Sequence, residues 1–240
     1  MPAAPLLSVV LACYNEEETL AQSFEEIRKT LADFSRTFEI VFVDDVSRDR
    51  TREIIAGIVA AHPEHVRAIL HERNQGRGAT VTDGFRAARG AIVGFLDVDL
   101  EVHARYIPSL VRAIEEGADV ATVHRIYAFQ LRALDRYVMS RGYSLLVRRL
   151  LQVPIHDTET GYKFFRRERL LPVLDEIEDG GWFWDTEFMV RALRRGLQIQ
   201  EIPGAYVRRR DKTSTVSGLR DSLAYFGKLL RFRRTLRARG

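Results

Sequence analysis

The first 123 residues alternate between short apolar runs and segments with the spacing of amphipathic helices, and this rhythm limits the possible folds more than any other feature. Strands are predicted at 6–12, 38–43, 66–71, 91–96 and 118–123, with helices over 17–34, 50–61, 76–89 and 104–116. The apolar runs are nearly continuous, as expected of strands buried on both faces. Repeated strand–helix–strand units specify right-handed crossovers and an α/β fold whose mainly parallel central sheet is flanked by helices.

The residues that end these strands are the chemically telling ones. Ala91-Ile92-Val93-Gly94-Phe95-Leu96 runs into Asp97-Val98-Asp99, and Glu39-Ile40-Val41-Phe42-Val43 into Asp44-Asp45. Leu6 to Ala12 runs into Cys13-Tyr14-Asn15-Glu16-Glu17-Glu18. Paired carboxylates cannot enter a core without a counter-charge, and ligands of open α/β sheets bind outside the carboxyl ends of the strands. A hard divalent cation would take such oxygens and still hold a diphosphate. One Asp-x-Asp alone would read as a solvated turn; three strands feeding polar loops at one sheet edge read as a site. Ser47 or Asp49 is placed to cap the helix after Asp45, with Glu53 in its first turn. Asn74-Gln75-Gly76-Arg77-Gly78 precedes another helix, where backbone N–H groups and Arg77 can meet a phosphate.

Composition removes other classes. At 240 residues the chain suits one large domain, and 46% hydrophobic with 29% charged residues is ordinary for a globular protein. A single cysteine forbids an intrachain disulfide and suits a reducing, cytoplasmic setting. No apolar stretch nears the roughly 20 residues needed to span a bilayer. Val10-Leu11-Ala12-Cys13 has the look of a lipoprotein cleavage site, but no basic residue precedes it and cleavage would destroy the first strand.

Charge is unevenly placed. From Leu219 onward Arg220, Lys228, Arg231, Arg233, Arg234, Arg237 and Arg239 face Asp221 alone, so this tail is basic while the remainder is slightly acidic. Its Leu219, Leu223, Phe226, Leu230 and Leu236 fall at helical spacing. That pattern favours a helix on the cytoplasmic face of a membrane; a docked helix is the alternative, and nucleic acid is not an expected partner. The expected organisation is one domain over 1–217, with halves of about 1–123 and 124–217, and a basic amphipathic helix over 218–240.

Beyond Val123 the helical pattern of 126–151 carries Arg132, Arg136, Arg141, Arg148 and Arg149, just after Arg125. Asp157-Thr158-Glu159-Thr160-Gly161-Tyr162-Lys163 follows, then a helix near 168–177 and Gly180-Gly181-Trp182-Phe183-Trp184-Asp185-Thr186-Glu187. A helix to about Arg195 and a last strand over 197–203 complete the pattern, covering the C-terminal edge of the sheet as the acceptor side.

With these segments in order over about 6–215, the chain resembles the nucleotide-diphospho-sugar transferases of glycosyltransferase family 2. The narrower similarity is to dolichyl- or polyprenyl-phosphate monosaccharide synthases. The resemblance implies a GT-A fold, a divalent metal (Mg²⁺ or Mn²⁺), and inverting transfer from a GDP-mannose or UDP-glucose type of donor to a polyprenyl phosphate. Three departures stand out: Val46 replaces a glycine usual after the paired aspartates, Val98 replaces a common alanine, and the membrane spans of several relatives are missing.

Roles follow from the resemblance and from side-chain chemistry together. Asp99 is the first choice for metal ligand, Asp97 a ligand or an orienter of ribose and metal waters, and Glu101 either a third ligand or an exposed acid starting a helix. Asp44 and Asp45 are expected to accept from base or ribose, unless one of them caps the next helix. Ala12, Tyr14, Glu16, Arg77 and Val98 are expected to line the same nucleotide, although Tyr14 can equally be a packed loop aromatic. Arg125 and Arg136 match family positions for the acceptor phosphate, which guanidinium suits by bidentate bonding. A sugar hydroxyl would instead need a base, for which Asp157, Asp185 or Glu187 qualifies. Trp182 and Trp184 either stack on a sugar or pack, and His156 is expected to bond locally. A soluble sugar or phospho-acid acceptor, and donor binding without turnover, are the competing functions.

Overall fold

The computed structural model describes residues 5–127, 134–207 and 218–238, with the backbone alone described for 134–141 and 218–224. Its seven-stranded sheet has the order β3-β2-β1-β4-β6-β5-β7. The strands are β1 (Leu7–Cys13), β2 (Phe38–Asp44), β3 (Val66–Leu70), β4 (Ile92–Leu96), β5 (Val120–Tyr127), β6 (Tyr162–Arg166) and β7 (Ile199–Tyr206). All are parallel except β6, which runs antiparallel between β4 and β5. The expected α/β architecture is therefore present.

Successive side chains of each strand enter opposite layers. Leu7, Val9 and Leu11 pack against α1 (Leu20–Asp33), α2 (Thr51–Ala61) and α4 (Ile107–Glu115) through Phe24, Ile27, Ile55 and Leu110. Val10, Val41 and Val43 face the other way, onto α3 (Arg77–Ala87), α6 (Arg167–Leu174) and α7 (Trp184–Arg194) through Val81, Phe85, Val173 and Phe188. Burial on both faces is why the strands lack polar alternation. At the opposite edge from the acidic loops, buried Glu39 accepts from Ser8 Oγ (2.6 Å), Arg67 Nε (2.9 Å) and Arg89 N (2.7 Å), so its charge is paired inside the fold.

Three strands depart from the expectation, the first being β5, which runs on to Tyr127 rather than ending at 123. β6 was not expected: Lys163 interrupts its apolar run, and only tertiary context explains a lysine there. β7 continues past Pro203 to Tyr206, because an edge strand with β5 as its only neighbour in the sheet tolerates a residue without an N–H. Most helix boundaries differ by up to three residues, but the helical pattern expected over 126–151 opens on the end of β5 and is described as helix only from Leu134. α1 starts at Leu20 after a turn in which Thr19 N and Leu20 N donate to Glu16 O, and a 3-10 turn over Ala104–Tyr106 leads into α4.

A third apolar cluster joins α5 (Leu134–Leu151), α7 and the C-terminal helix α8 (Gly218–Ala238) through Val147, Leu151, Val190, Leu229, Phe232 and Leu236. α8 is thus docked on the domain, and its buried stripe is offset from the one expected. Of the five residues named from sequence, Leu236 is buried, Leu230 is half-buried and Phe226 is exposed. The side chains of Leu219 and Leu223 lie outside the described residues. Exposed Arg231, Arg234 and Arg237 occupy the outward side, while Arg194 donates to Leu236 O near the helix end. No helix among the described residues is long and apolar enough to cross a membrane.

Docking through Phe232 makes a clear energetic prediction. Phe232→Ala should lower unfolding stability by about 3 kcal/mol or more, as large-to-small core changes do, whereas Phe226→Ser on the exposed side should change it by less than about 0.5 kcal/mol. Urea unfolding of both variants checks this; equal small effects would contradict docking.

Candidate active site

The C-terminal ends of β1, β2 and β4 open on one edge of the sheet, where the segments before β6 and α7 meet them. The β1 and β2 loops are stitched together first. Asn15 N donates to Ser47 Oγ (2.9 Å), Arg48 N to Asn15 Oδ1 (2.8 Å) and Glu16 N to Thr51 Oγ1 (2.7 Å). Ser47 therefore serves the β1 loop, and Asp49 accepts from Thr51 N at the start of α2 (3.0 Å). Val46 holds a left-handed φ of 66°, a strained geometry for a β-branched residue and a physical reason why glycine is the easier choice there.

Asp44 and Asp45 are both buried. Asp44 Oδ2 accepts from Arg52 Nε, Val46 N and Ser47 N, while its Oδ1 is buried without a hydrogen-bond partner. Asp45 accepts from Gln75 N (2.8 Å), Gly76 N (2.9 Å) and His71 Nδ1 (2.9 Å). Asp45 thus caps the approach to α3, a different helix from the one that follows it in sequence. The amides expected to meet a phosphate are consequently engaged: Gln75 N and Gly76 N by Asp45, and Ala79 N by Gly180 O. Gly76 adopts φ 92°, and a Cβ there would come within 2.8 Å of Gly180 O. Tyr14 is exposed, Ala12 and Glu16 are half-buried, and Thr19 Oγ1 donates to Glu16 Oε2 (3.1 Å).

At the end of β4 the charges form a chain. Arg77 bridges Asp97 Oδ1 (2.7 Å) and Asp185 Oδ2 (2.5 Å), and Lys163 Nζ donates to Asp185 Oδ1 (2.6 Å). Lys163 is fully buried, yet it lies on β6 opposite Phe95 in register and meets the first turn of α7, whose N-terminus favours a carboxylate. Burial pushes the Lys163 ammonium below its ordinary range, with Asp185 opposing. Burial also acts against the Arg77 charge, but the Asp185 and Asp97 carboxylates outweigh it and raise its pKa. Asp97 N donates to Gly161 O (2.9 Å), and a Cβ on Gly161 would fall 1.9 Å from Asp97 Oδ2, so glycine is required for the two loops to close.

A cavity beside this chain is lined by Asp97, Asp99, Glu101, Arg125, Thr160 and Tyr206. Asp97 is exposed, Asp99 and Glu101 are half-buried, and Val98 is buried. Glu101 receives the Tyr206 hydroxyl. Among the described residues no three His, Cys, Asp or Glu side chains converge tightly enough to hold a cation unaided. Across the cavity Arg125 makes a bidentate pair with Asp157 (2.7 and 3.0 Å) and stacks on Tyr127 and Tyr206.

Several sequence-named residues have other duties. Asp157 accepts from Arg125 N and Glu159 N as well, so both its oxygens hold Arg125 on β5. Burial acts against the Asp157 charge, but Arg125 overrides it and keeps this carboxyl below its ordinary range. Asp185 has both oxygens on Arg77 and Lys163. Glu187, two residues along the helix and hence on another side of it, accepts from Arg191, Glu178 N and Asp179 N, anchoring the 178–183 loop away from the cavity. Trp184 is buried among Phe95 and Phe188, whereas exposed Trp182 covers Arg77 at 5.1 Å. His156 bonds locally to Glu201 (2.8 Å), and Arg148 and Arg149 are exposed. The Arg136 side chain lies outside the described residues. Sequence reasoning missed Lys163, Tyr206, His71 and the Glu159 carboxyl as parts of the site; a lysine inside an otherwise apolar strand was the one available signal.

The fold and this edge have known counterparts. Residues 8–171 match the family model described as "Glycosyl transferase family 2". The chain is 35% identical over 230 residues to glycosyltransferase AglD of Haloferax volcanii, covering 94% of this chain and 36% of that protein. It is 36% identical over 162 residues to undecaprenyl-phosphate 4-deoxy-4-formamido-L-arabinose transferase of Pseudomonas aeruginosa, covering 68% and 47%. Among solved structures, glucosyl-3-phosphoglycerate synthase from Mycobacterium tuberculosis in complex with Mn²⁺, UDP and phosphoglyceric acid superposes with a TM-score of 0.72 at 20% identity, over 95% of this chain and 78% of that one. The chain belongs to glycosyl transferase family 2 and has its GT-A-like fold. It spans between about a third and a half of the length of those first two relatives.

Glu159 gives this edge a measurable pH signature. Burial first, and then Asp157 and Asp185, push its carboxyl up to about 7 from 4.5, with Arg125 and Lys163 opposing. A folded-state pKa raised above the unfolded one contributes stability that is full below about pH 4.5 and lost as pH rises through about 7. Glu159→Gln should therefore differ little from the parent near pH 4.5 and be the more stable protein above pH 7, by up to about 3 kcal/mol. Parallel unfolding curves across that window check the sign.

Proposed function

We propose that the chain transfers a monosaccharide, with inversion, from a nucleotide diphosphate sugar of the GDP-mannose or UDP-glucose type to a polyprenyl phosphate. The single observation that carries this reading is one cavity lined by Asp97 and Asp99 on one side and by Arg125, held from behind by Asp157, on the other. The first wall suits a cation and diphosphate, the second an acceptor oxyanion.

Asp97 and Asp99 fit a Mg²⁺ or Mn²⁺ ion because such ions are usually held by one or two carboxylates with substrate phosphates completing the shell. When bound, the ion would neutralise the leaving diphosphate oxygens as positive charge grows at the anomeric carbon. Asp99 is the preferred ligand, with Asp97 beside it and Glu101 held in reach by Tyr206. Asp44 Oδ1, a buried acceptor lacking a partner, is where a base or ribose donor is received. Tyr14, Glu16, Ala12 and Val98 border that nucleotide.

The acceptor side favours a phosphate over a sugar hydroxyl. A lipid phosphate is already an oxyanion and needs placement and charge neutralisation, which Arg125 supplies in a fixed fork geometry, with Arg136 of α5 as its companion. A hydroxyl acceptor needs a base, and Asp157, Asp185 and Glu187 each have both oxygens engaged inside the protein. The undecaprenyl-phosphate sugar transferase relative supports the same choice. Contact with the membrane's cytoplasmic face is electrostatic in this reading. The outward Arg231, Arg234 and Arg237 of α8 meet anionic headgroups at about 1 kcal/mol per residue near the surface.

Incubation of the chain with labelled GDP-mannose or UDP-glucose, a polyprenyl phosphate and Mn²⁺ or Mg²⁺ tests the proposal. A metal-dependent glycolipid is expected from one donor; transfer only to a soluble phospho-acid, or none from any donor, contradicts it. Arg125→Lys should lower kcat/KM for the lipid phosphate by about tenfold to a hundredfold while leaving the donor KM within about twofold, since it loses the bidentate fork.

A further inference from the structure

The carboxylate best placed for a cation at the end of β4 already holds a cation of the protein's own. Arg77 Nη2 donates to Asp97 Oδ1 at 2.7 Å, while the other oxygen of Asp97 packs against Gly161. The Asp97 side chain is 47% exposed and that of Arg77 only 13%, so the arginine approaches from the inside and the solvent side stays open. Its guanidinium is held in place rather than swinging freely. Asp185 fixes the second edge at 2.5 Å, Lys163 fixes Asp185, and the rings of Phe95 and Trp182 lie 5.3 and 5.1 Å from the guanidinium carbon. Trp182 is itself tied to α8, where Tyr225 donates to its carbonyl (2.9 Å) and Lys228 pairs with Asp179 (2.6 Å).

A divalent ion binding Asp97 must share that carboxylate with Arg77 and sit beside a guanidinium that burial and two carboxylates hold in position. Two cations on one carboxylate repel unless further negative charge arrives. The phosphates of a nucleoside diphosphate supply that charge and give Arg77 a new bidentate partner.

We propose that Arg77 makes cation and nucleotide binding at this site mutually dependent, occupying Asp97 as a built-in counter-cation until a diphosphate replaces it as Arg77's partner. Asp185 and Lys163 act as positioning residues that keep Arg77 within reach of both. The inference rests on the donor site proposed above and adds to it a residue that sets the order of assembly. By linkage, whatever factor the nucleotide adds to cation affinity the cation adds to nucleotide affinity.

Calorimetric titration of the full chain with Mn²⁺ alone, and with Mn²⁺ at saturating UDP or GDP, tests it once cation binding to free nucleotide is subtracted. In the parent, Mn²⁺ alone should bind weakly and tighten at least about tenfold with one of the two nucleotides. In Arg77→Gln, Mn²⁺ alone should bind at least about tenfold tighter than to the parent, the factor expected for releasing a charged hydrogen bond. The nucleotide should then add less than about threefold, and Asp97→Asn in that background should abolish the gain. Equal Mn²⁺ affinity in the parent and Arg77→Gln overturns the role of Arg77 while leaving the donor site intact. Failure of the parent to bind Mn²⁺ with either nucleotide overturns the donor site and this inference together. Should Arg77→Gln not fold, Arg77→Lys keeps the charge but cannot bridge two carboxylates, and it should show the same changes in smaller measure.

Discussion

Lys163 is a fully buried ammonium, and its pairing with Asp185 is the interaction on which the arrangement around Asp97 depends. An isolated charge at that depth would be strongly destabilising, and losing one partner of such a pair typically costs about 3–5 kcal/mol. Asp185 must therefore sit in the first turn of α7 and face β6. Its second oxygen is then available to Arg77, which reaches across to Asp97 at the end of β4. One buried lysine thus connects β6, α7, α3 and β4, four elements distant in sequence, through a single line of alternating charge.

The rest of the edge is arranged around that line. Gly161 lets the segment before β6 lie directly on Asp97, and the same segment carries Asp157, which holds Arg125 across the cavity. The Asp97 and Arg125 sides of the cavity are thereby joined through a few residues of backbone. Asp45 draws the start of α3 toward β2, and Gly180 accepts from Ala79 N on the other side of the same helix end. Arg77 emerges from a helix start fixed on two sides. Its reach is set by packing and hydrogen bonds rather than by chance orientation of a surface arginine.

Much of the first half was legible in the sequence because local and global signals agree there. The strands are continuously apolar, each is followed by a helix of matching period, and their acidic ends fall at one sheet edge. Legibility fails where tertiary context overrides the local pattern. β6 is hidden by Lys163, whose charge makes sense only beside Asp185. The stripe of α8 was misplaced because Leu230 and Phe226 match helical spacing as well as Leu229 and Phe232 do, and only the surface of α5 and α7 distinguishes them. Asp157, Asp185 and Glu187 qualify by residue type as a base for a hydroxyl acceptor, yet hydrogen-bond partners decide how engaged a carboxylate is, and those partners are not written in the local sequence. The two tryptophans show the same limit: two residues apart, one fills the core and the other covers Arg77.

The central claim is that acidic strand ends and Arg77 form one binding surface for a cation and a diphosphate. A crystal structure of the chain grown with Mn²⁺ and a nucleoside diphosphate tests it most directly. The account predicts anomalous density for manganese at Asp97 or Asp99, with the diphosphate bound to it and Arg77 turned toward the phosphates. Manganese or nucleotide bound elsewhere, with Asp97 still paired to Arg77 and Asp99 bare, would contradict it.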